Sequence, residues 1–338
     1  MTSRERVRLV LENKVPDRLP FNFWMDRDKM VELDAELGEN FRVSHYDADV
    51  IETFTGLSFF RQLAGNAQYV DDGKTRWMLR YPAGGVLELL DADLPDADDQ
   101  SLYDGIRDDR RKYPDKALFA LIASPLEILL DNVGMERLFC DMIEEPEAVG
   151  HMCARLSDVL YKAVAHIAAC DVDVLYLAGD ICSTRGELMS SDMLRRYCFD
   201  PMRPLVRAAH EHGLKVFYHT DGHVMNILPL FVEYGFDGIN PLQASAGNDV
   251  RTFVRLYGDK LMVYGALDNC FIIPDGSESD VRLHVRERFE ALGRNGRYIA
   301  SSHDIPSYAP SGNVDAMVDE VKRCIYQPEK TSADKREK

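Results

Sequence analysis

Two segments of the chain end an apolar run with a histidine that is followed closely by a carboxylate. In the first, Lys-Val-Phe-Tyr-His-Thr-Asp-Gly, His219 and Asp221 precede Gly222. In the second, His303 and Asp304 follow Tyr-Ile-Ala-Ser-Ser. Imidazole and carboxylate groups transfer protons and bind metal ions. The two segments therefore indicate catalytic chemistry at the ends of two strands.

The same histidines and carboxylates allow two kinds of site. His219, Asp221 and His303 are competent as three zinc ligands with a fourth position open, as in catalytic zinc sites. Alternatively, the site works without a metal, and a histidine oriented by Asp221 or Asp180 acts as general acid or base. The spacing of these residues leaves both interpretations open.

Further polar side chains follow predicted strands. An aspartate or asparagine at such a place also serves as a helix cap, so each one alone has a structural alternative. Their recurrence after successive strands favours a shared site. We predict Asp180, His219, His303 and Glu127 as catalytic residues and Trp24, Tyr218, Asn240, Gln243 and Asp268 as substrate-binding residues.

The elements that position these residues alternate between strand and helix. The predicted strands span residues 18–24, 42–51, 118–123, 174–178, 215–219, 237–240, 261–266 and 298–301. Their apolar runs are continuous and are separated by amphipathic helices, which indicates a parallel sheet covered on its outer face. We therefore predict an α/β fold, a (β/α)8 TIM barrel with its site at the carboxyl ends of the strands. An open doubly wound sheet is the alternative, but the first strand lacks the Gly-x-Gly-x-x-Gly turn.

Three segments depart from this alternation. Residues 68–90 predict a small antiparallel excursion on the barrel rim, with residues 86–90 as its last strand. Residues 91–115 are acidic and predict a loop. The end of the chain, residues 328–338, is charged and without an apolar face, and predicts a disordered tail after a single barrel domain over residues 1–327.

Composition excludes several functions. The formal charge of −17 opposes binding to nucleic acid, and no apolar run is long enough to cross a membrane. Seven scattered cysteines without a Cys-x-x-Cys pair predict reduced thiols. The amino terminus has no apolar segment of a secretory signal, so we expect a cytoplasmic protein. No Gly-x-Ser-x-Gly, P-loop or His-Glu-x-x-His motif is present.

Several segments resemble the uroporphyrinogen decarboxylase superfamily over nearly the whole chain. They include Pro16-Asp-Arg-Leu-Pro20, Gly179-Asp180, His219-Thr-Asp-Gly222, Gly235-Phe-Asp-Gly-Ile-Asn-Pro241, Gly265-Ala-Leu-Asp268 and the stretch from Tyr298 to His303. The resemblance implies a (β/α)8 barrel. The chain departs from true uroporphyrinogen decarboxylases, because Trp24-Met-Asp-Arg27 replaces their arginine signature and Phe54 and Asp131 stand for an aspartate and a tyrosine.

The resemblance is closer to the corrinoid-linked methyltransferase branch, which holds zinc on a His-x-Cys pair and a later cysteine. His219 matches the histidine, Asp221 stands in place of the first cysteine, and His303 stands near the second. This implies a methyltransferase or O-demethylase that moves a methyl group between a small molecule and a corrinoid protein, with zinc as metal. A metal-independent decarboxylase of an aromatic or tetrapyrrole acid and a non-catalytic tetrapyrrole binder are the alternatives. The sequence does not determine the oligomeric state, and a homodimer is one possibility.

Overall fold

The computed structural model describes residues 1–71 and 76–326. Eight strands form one sheet. They are β1 (Phe21–Met25), β2 (Val50–Phe54), β3 (Ala117–Ala123), β4 (Val174–Ala178), β5 (Lys215–His219), β6 (Gly238–Asn240), β7 (Met262–Ala266) and β8 (Tyr298–Ile305). Most of their residues are buried, as continuous apolar strands between layers require.

The sheet order is β1-β8-β7-β6-β5-β4-β3-β2. From β2 to β8 each strand lies beside the next one in the chain, and β1 lies beside β8, where Phe21 is paired in parallel with Ala300. At the other side of β1, the Asp49 amide just before β2 donates to the Phe21 carbonyl at 2.8 Å. This order is that of a (β/α)8 barrel, so the predicted fold class is confirmed.

Helices connect the strands. The α-helices are Ser3–Leu11, Arg27–Leu37, Phe41–Ser44, Asp104–Lys112, Pro125–Val133, Met135–Glu144, Pro146–Ala169, Ser191–Met193, Asp200–Glu211, Leu228–Tyr234, Val250–Tyr257, Ile272–Asp275, Glu278–Leu292 and Ser311–Arg323. A π-helical stretch, Leu194–Phe199, joins two of them. None of the described helices is long and apolar enough to cross a membrane.

The residues group into two compact units. One comprises residues 1–51, 115–117 and 241–338, and the other comprises residues 52–114 and 118–240. We call the second the central unit. It contains β4, β5, β6 and all of β3 except Ala117. Its core includes a cluster of aromatic rings in which Tyr218 packs on Phe231 and Phe236 at 5.3 and 5.6 Å between ring centroids.

The antiparallel excursion is confirmed in part. Gln68–Asp71 and Arg76–Arg80 pair in antiparallel fashion, and residues 72–75 between them lie outside the described residues. The predicted third strand is wrong, since Val86–Leu89 is a 3-10 helix. Its Val86 amide donates to the buried Asp141 carboxylate at 2.7 Å, a tertiary contact that strand propensity does not reveal.

Two other segments differ from the predicted elements. The second strand was predicted over residues 42–51. The structure has the helix Phe41–Ser44 at the start of this range, and β2 begins only at Val50. The predicted loop of residues 91–115 contains the helix Asp104–Lys112, which has an acidic first turn and three basic residues in its last turn. That charge order favours a helix through the helix dipole, although the segment has little apolar content. The predicted disordered tail, residues 328–338, lies outside the described residues, and the single-domain prediction stays a prediction.

Candidate functional site

The carboxyl ends of β4, β5 and β6 bring polar residues together in the central unit. His219, the last residue of β5, is paired with Ala178 of β4 on one side and Asn240 of β6 on the other. Asp180 lies two residues beyond β4, and Asp221 lies two residues beyond β5. Parallel strands end at the same edge of the sheet, so the register itself assembles this site.

Asn240 orients the ring of His219. The Asn240 Oδ1 atom lies 2.7 Å from His219 Nδ1, and the Tyr176 hydroxyl lies 3.4 Å from the same nitrogen. An amide oxygen only accepts hydrogen bonds, so Nδ1 carries the proton. In this tautomer the lone pair is on Nε2, which lies 4.0 Å from Asp180 Oδ1.

Asp180, His219 and Asp221 form a triad of metal-binding residue types. One ligand atom from each lies within 4.8 Å of the other two. The Asp221 amide donates to Asp180 Oδ1 at 2.9 Å, which ties the two acidic loops together. Neutral imidazole and two carboxylates are a donor set that zinc and other divalent ions accept.

The surroundings of this donor set suit a divalent metal ion. Asp180 is exposed and His219 and Asp221 are half-buried, so an ion can enter from solvent. The unprotonated Nε2 atom is on the side of Asp180, and Asn240 supplies the hydrogen bond that commonly orients a metal-binding imidazole. Asp180, His219 and Asp221 are therefore the residues of this unit that would hold a divalent ion.

Close backbone approaches shape the loops around the triad. A Cβ atom on Gly179 would lie 2.6 Å from Ser124 Oγ and 2.8 Å from Tyr218 Oη. A two-residue strand pair, Cys182–Ser183 with Gly186–Glu187, follows the β4 end, and the His223 amide donates to the Ser183 carbonyl at 2.8 Å. Gly222, with φ of 93°, passes so near that a Cβ there would lie 2.5 Å from the same carbonyl oxygen.

Glu127 lies beside the triad in the first turn of the helix Pro125–Val133. Its Oε2 accepts from the Asp180 amide at 3.1 Å. Burial, followed by the nearby Asp131 and Asp180 carboxylates, raises the pKa of Glu127 to about 7. A carboxyl group with such a pKa exchanges protons near neutral pH, as a general acid or base must.

Tyr218, predicted to bind substrate, is fully buried. Its hydroxyl lies 3.7 Å from Cys198 Sγ, and burial raises the pKa of Tyr218 well above its ordinary value. The side chain thus supports Gly179 from within the core of the unit. The predicted role in substrate binding stays a prediction.

Residues 44–324 match the sequence profile described as Uroporphyrinogen decarboxylase (URO-D). The chain belongs to the uroporphyrinogen decarboxylase family. The match covers most of the chain, including every residue of the triad, and confirms the resemblance drawn from the sequence segments. No curated protein matches the chain in sequence.

Solved structures of other proteins have a similar fold. A methyltransferase from Methanosarcina mazei superposes with a TM-score of 0.74 at 16% identity, covering 96% of this chain and 99% of the other. A B12-independent methionine synthase from Shewanella sp. W3-18-1 superposes with a TM-score of 0.52 at 10% identity, covering 87% and 85%. At such identities the likeness shows the fold.

The remaining predicted site residues of this uroporphyrinogen decarboxylase family member belong to the other unit. His303 is half-buried near the end of β8, and Trp24 in β1 has the Arg42 guanidinium 3.9 Å above its ring. Asp268 Oδ1 accepts from three backbone amides, those of residues 270–272, so this carboxylate caps a turn. Gln243 Nε2 lies 3.7 Å from Cys270 Sγ. Their roles as ligand or substrate contacts stay predictions.

For two residues, Asp180 and Asn240, the sequence analysis predicts only part of the role that the structure shows. Asp180 was predicted as a catalytic residue but not as a member of a metal triad, and Asn240 was predicted to contact substrate but not to orient His219. The signal for Asn240 was available, because a residue three positions into the next short strand faces the end of β5 once the two strands are paired.

Proposed function

We propose that this protein is a methyltransferase or O-demethylase that moves a methyl group between a small molecule and a corrinoid protein, with assistance from a metal ion. The observation that carries the proposal is the triad of Asp180, His219 and Asp221, with the His219 tautomer set by Asn240. The likeness in fold to a protein named as a methyltransferase supports the same reaction class.

Each residue has a defined part in this reaction. Asp180, His219 and Asp221 would hold a zinc ion, which when bound supplies Lewis-acid polarisation of the donor heteroatom. The methyl group would pass to the cobalt(I) of the corrinoid partner, which supplies the electron pair of the new bond to carbon, while the donor heteroatom keeps the pair of the broken bond. A heteroatom that leaves as an anion then requires a proton. Glu127, with its pKa raised to about 7, supplies that proton at neutral pH.

The electrostatics of the site disfavour a decarboxylase of polycarboxylic acids. Glu127, Asp131, Asp180 and Asp221 bring four carboxyl groups to one region, where Asp131 and Asp180 both raise the pKa of Glu127. Further substrate carboxylates would add like charges at short range. A neutral or cationic methyl donor meets no such repulsion.

The proposal includes a partner and a location. The corrinoid protein would dock with its cofactor facing the methyl donor, and both proteins would work in the cytoplasm. The seven cysteines are all free thiols, in agreement with a reducing compartment.

Two measurements test the proposal. Elemental analysis of the purified protein is expected to find one zinc ion per chain, and His219→Ala is expected to lose it. The matched control is His151→Ala, which removes an exposed histidine of the helix Pro146–Ala169 and should retain the metal. Anaerobic assays with reduced cobalamin and a panel of methoxylated and methylated compounds then measure methyl transfer directly.

The outcomes separate the parts of the proposal. If the protein without metal transfers methyl groups as fast as the zinc-loaded protein, the proposed role of the triad is contradicted. A zinc-loaded protein that methylates cobalamin from none of the donors, and instead releases carbon dioxide from an aromatic acid, would contradict methyl transfer itself.

A further inference from the structure

A small cavity of the central unit is lined in part by the helix Pro125–Val133, which carries Glu127. It has a volume of about 300 Å³, at the small end of the range for ligand pockets. Its walls are mainly apolar and include Phe54, Phe59 and Leu121, and its polar lining includes Asp131 and Asn132. Asp131 follows Glu127 by one helical turn, so the cavity adjoins the carboxyl groups of the candidate site.

Asp131 is the charged group of this cavity. Its side chain is exposed, yet enough protein surrounds it that desolvation raises the pKa of its carboxyl group. The side chain of Asp131 takes part in no hydrogen bond or ion pair of the described residues, and none of the residues lining the cavity is a lysine or an arginine. The lining of the cavity therefore offers one carboxylate and no cationic side chain.

Two aromatic side chains, Phe54 and Phe59, also line the cavity. Phe54 is the last residue of β2 and is 51% exposed, which is unusual for a residue that lines an apolar space. Phe59, also in the lining, is half-buried. Aromatic faces beside a carboxylate bind alkylammonium groups through cation–π attraction together with ion pairing, while the apolar walls contact the alkyl carbons.

The charges around the cavity select among ligand classes. An anion would meet Asp131 and, one turn away, Glu127. A neutral alkyl group would fill the apolar space but leave the carboxylate unpaired. A small alkylammonium ion satisfies the rings, the apolar walls and the carboxylate together.

We propose that this cavity binds the alkylammonium group of a cationic substrate, with Asp131 as its counter-ion and Phe54 and Phe59 as its aromatic walls. The assignment of this ligand as substrate rests on the proposed methyl-transfer function, whereas the binding itself does not. It names a class of substrate, small molecules that carry a tertiary or quaternary ammonium group for recognition and the transferred methyl group on a separate heteroatom.

Isothermal titration calorimetry tests the inference without any reaction. Choline is compared with 3,3-dimethylbutan-1-ol, which has the same shape but a carbon atom in place of the charged nitrogen. We expect choline to bind the intact protein at least tenfold more tightly than the neutral compound. Equal affinities, or binding of neither, would overturn the proposal.

Three variants locate the selectivity. Asp131→Asn should remove most of the preference for choline, and Phe54→Leu should weaken choline several-fold while leaving the neutral compound unchanged. The control Asp158→Asn removes one negative charge from an exposed position that is not part of the cavity lining. Thermal unfolding of each variant checks that it is folded, and an equal loss in Asp131→Asn and Asp158→Asn would overturn the proposal, because it would assign the preference to overall charge.

Failure of this inference is distinct from failure of the proposed function. Selective choline binding with no methyl transfer to cobalamin would retain the cation site and reject the methyl-transfer role. Methyl transfer from neutral donors with no selectivity for choline would retain the function and reject the cation site.

Discussion

The chemistry of His219 depends on which of its ring nitrogens carries the proton. Asn240 Oδ1, at 2.7 Å from Nδ1, favours the tautomer whose Nε2 is unprotonated. Only that nitrogen is placed toward Asp180, at 4.0 Å from its Oδ1. Asn240, which is not a member of the triad, thus decides whether the imidazole of His219 can bind a metal ion through Nε2.

Asn240→Ala is expected to weaken zinc binding by about 10–100-fold, because the ring of His219 loses the acceptor that orients it. The conservative variant Asn240→Asp keeps an acceptor at the same place and should restore most of the affinity. Competition with a chromophoric chelator measures both. An affinity of Asn240→Ala equal to that of the intact protein would show that His219 is oriented by other groups.

At the scale of elements, the site depends on loops that follow strand ends at very short distances. The strand pair formed by Cys182–Ser183 and Gly186–Glu187 covers the turn after β5, and Gly222 crosses beneath the Ser183 carbonyl. Both its positive φ and the lack of space exclude a side chain at this glycine. The placement of Asp221, the next residue back, follows from the same turn.

Gly222→Ala is expected to lower the free energy of unfolding by roughly 2–5 kcal/mol, from the left-handed backbone and the steric overlap together. The control is Gly213→Ala, where φ is 77° but no atom lies within 4 Å of the added Cβ. That variant should lose only the backbone part, about 1–2 kcal/mol. Urea unfolding measures both, and equal losses would show that the loop moves away at little cost.

At the scale of the whole molecule, the amino-terminal helix and the first two strands are joined by a buried ion cluster. Asp49, fully buried just before β2, accepts from Arg6 at 2.7 Å and from Arg18 at 2.8 Å. Its carboxylate also accepts from the Phe21 amide at 3.0 Å. In a protein of charge −17, most acidic residues face water, and this one instead links the start of the chain to the sheet.

Asp49→Asn is expected to lower the free energy of unfolding by about 3–5 kcal/mol, since Arg18 loses its buried counter-charge and Arg6 keeps only its pair with Asp17. The control Glu233→Gln breaks the exposed pair with Arg195 and should change it by less than about 1 kcal/mol. Urea unfolding followed by circular dichroism compares the two. A loss of less than about 1 kcal/mol for Asp49→Asn would mean that solvent reaches the arginines.

Strands could be predicted where a continuous apolar run is about as long as a typical strand. Val174–Ala178 and Lys215–His219 lie where the sequence predicts them. Prediction was poorer where tertiary contacts override local pattern, as at Val86–Leu89, or where polar residues are buried in a strand, as Glu52 and Thr53 are in β2. Thr53 is accommodated because its hydroxyl donates to Asp109, a residue far along the chain.

The fold class and the acid–base residues at the strand ends could be predicted from the amino-acid sequence, because the strands and helices of this fold follow local apolar patterns. Which of those residues meet follows only from the folded chain. The Asp221 amide reaches Asp180 across 41 residues of chain, and Asn240 reaches His219 across 21. Such pairs depend on strand register and on backbone approaches at glycine, which operate over distances of a few ångströms and leave no periodic trace in the sequence.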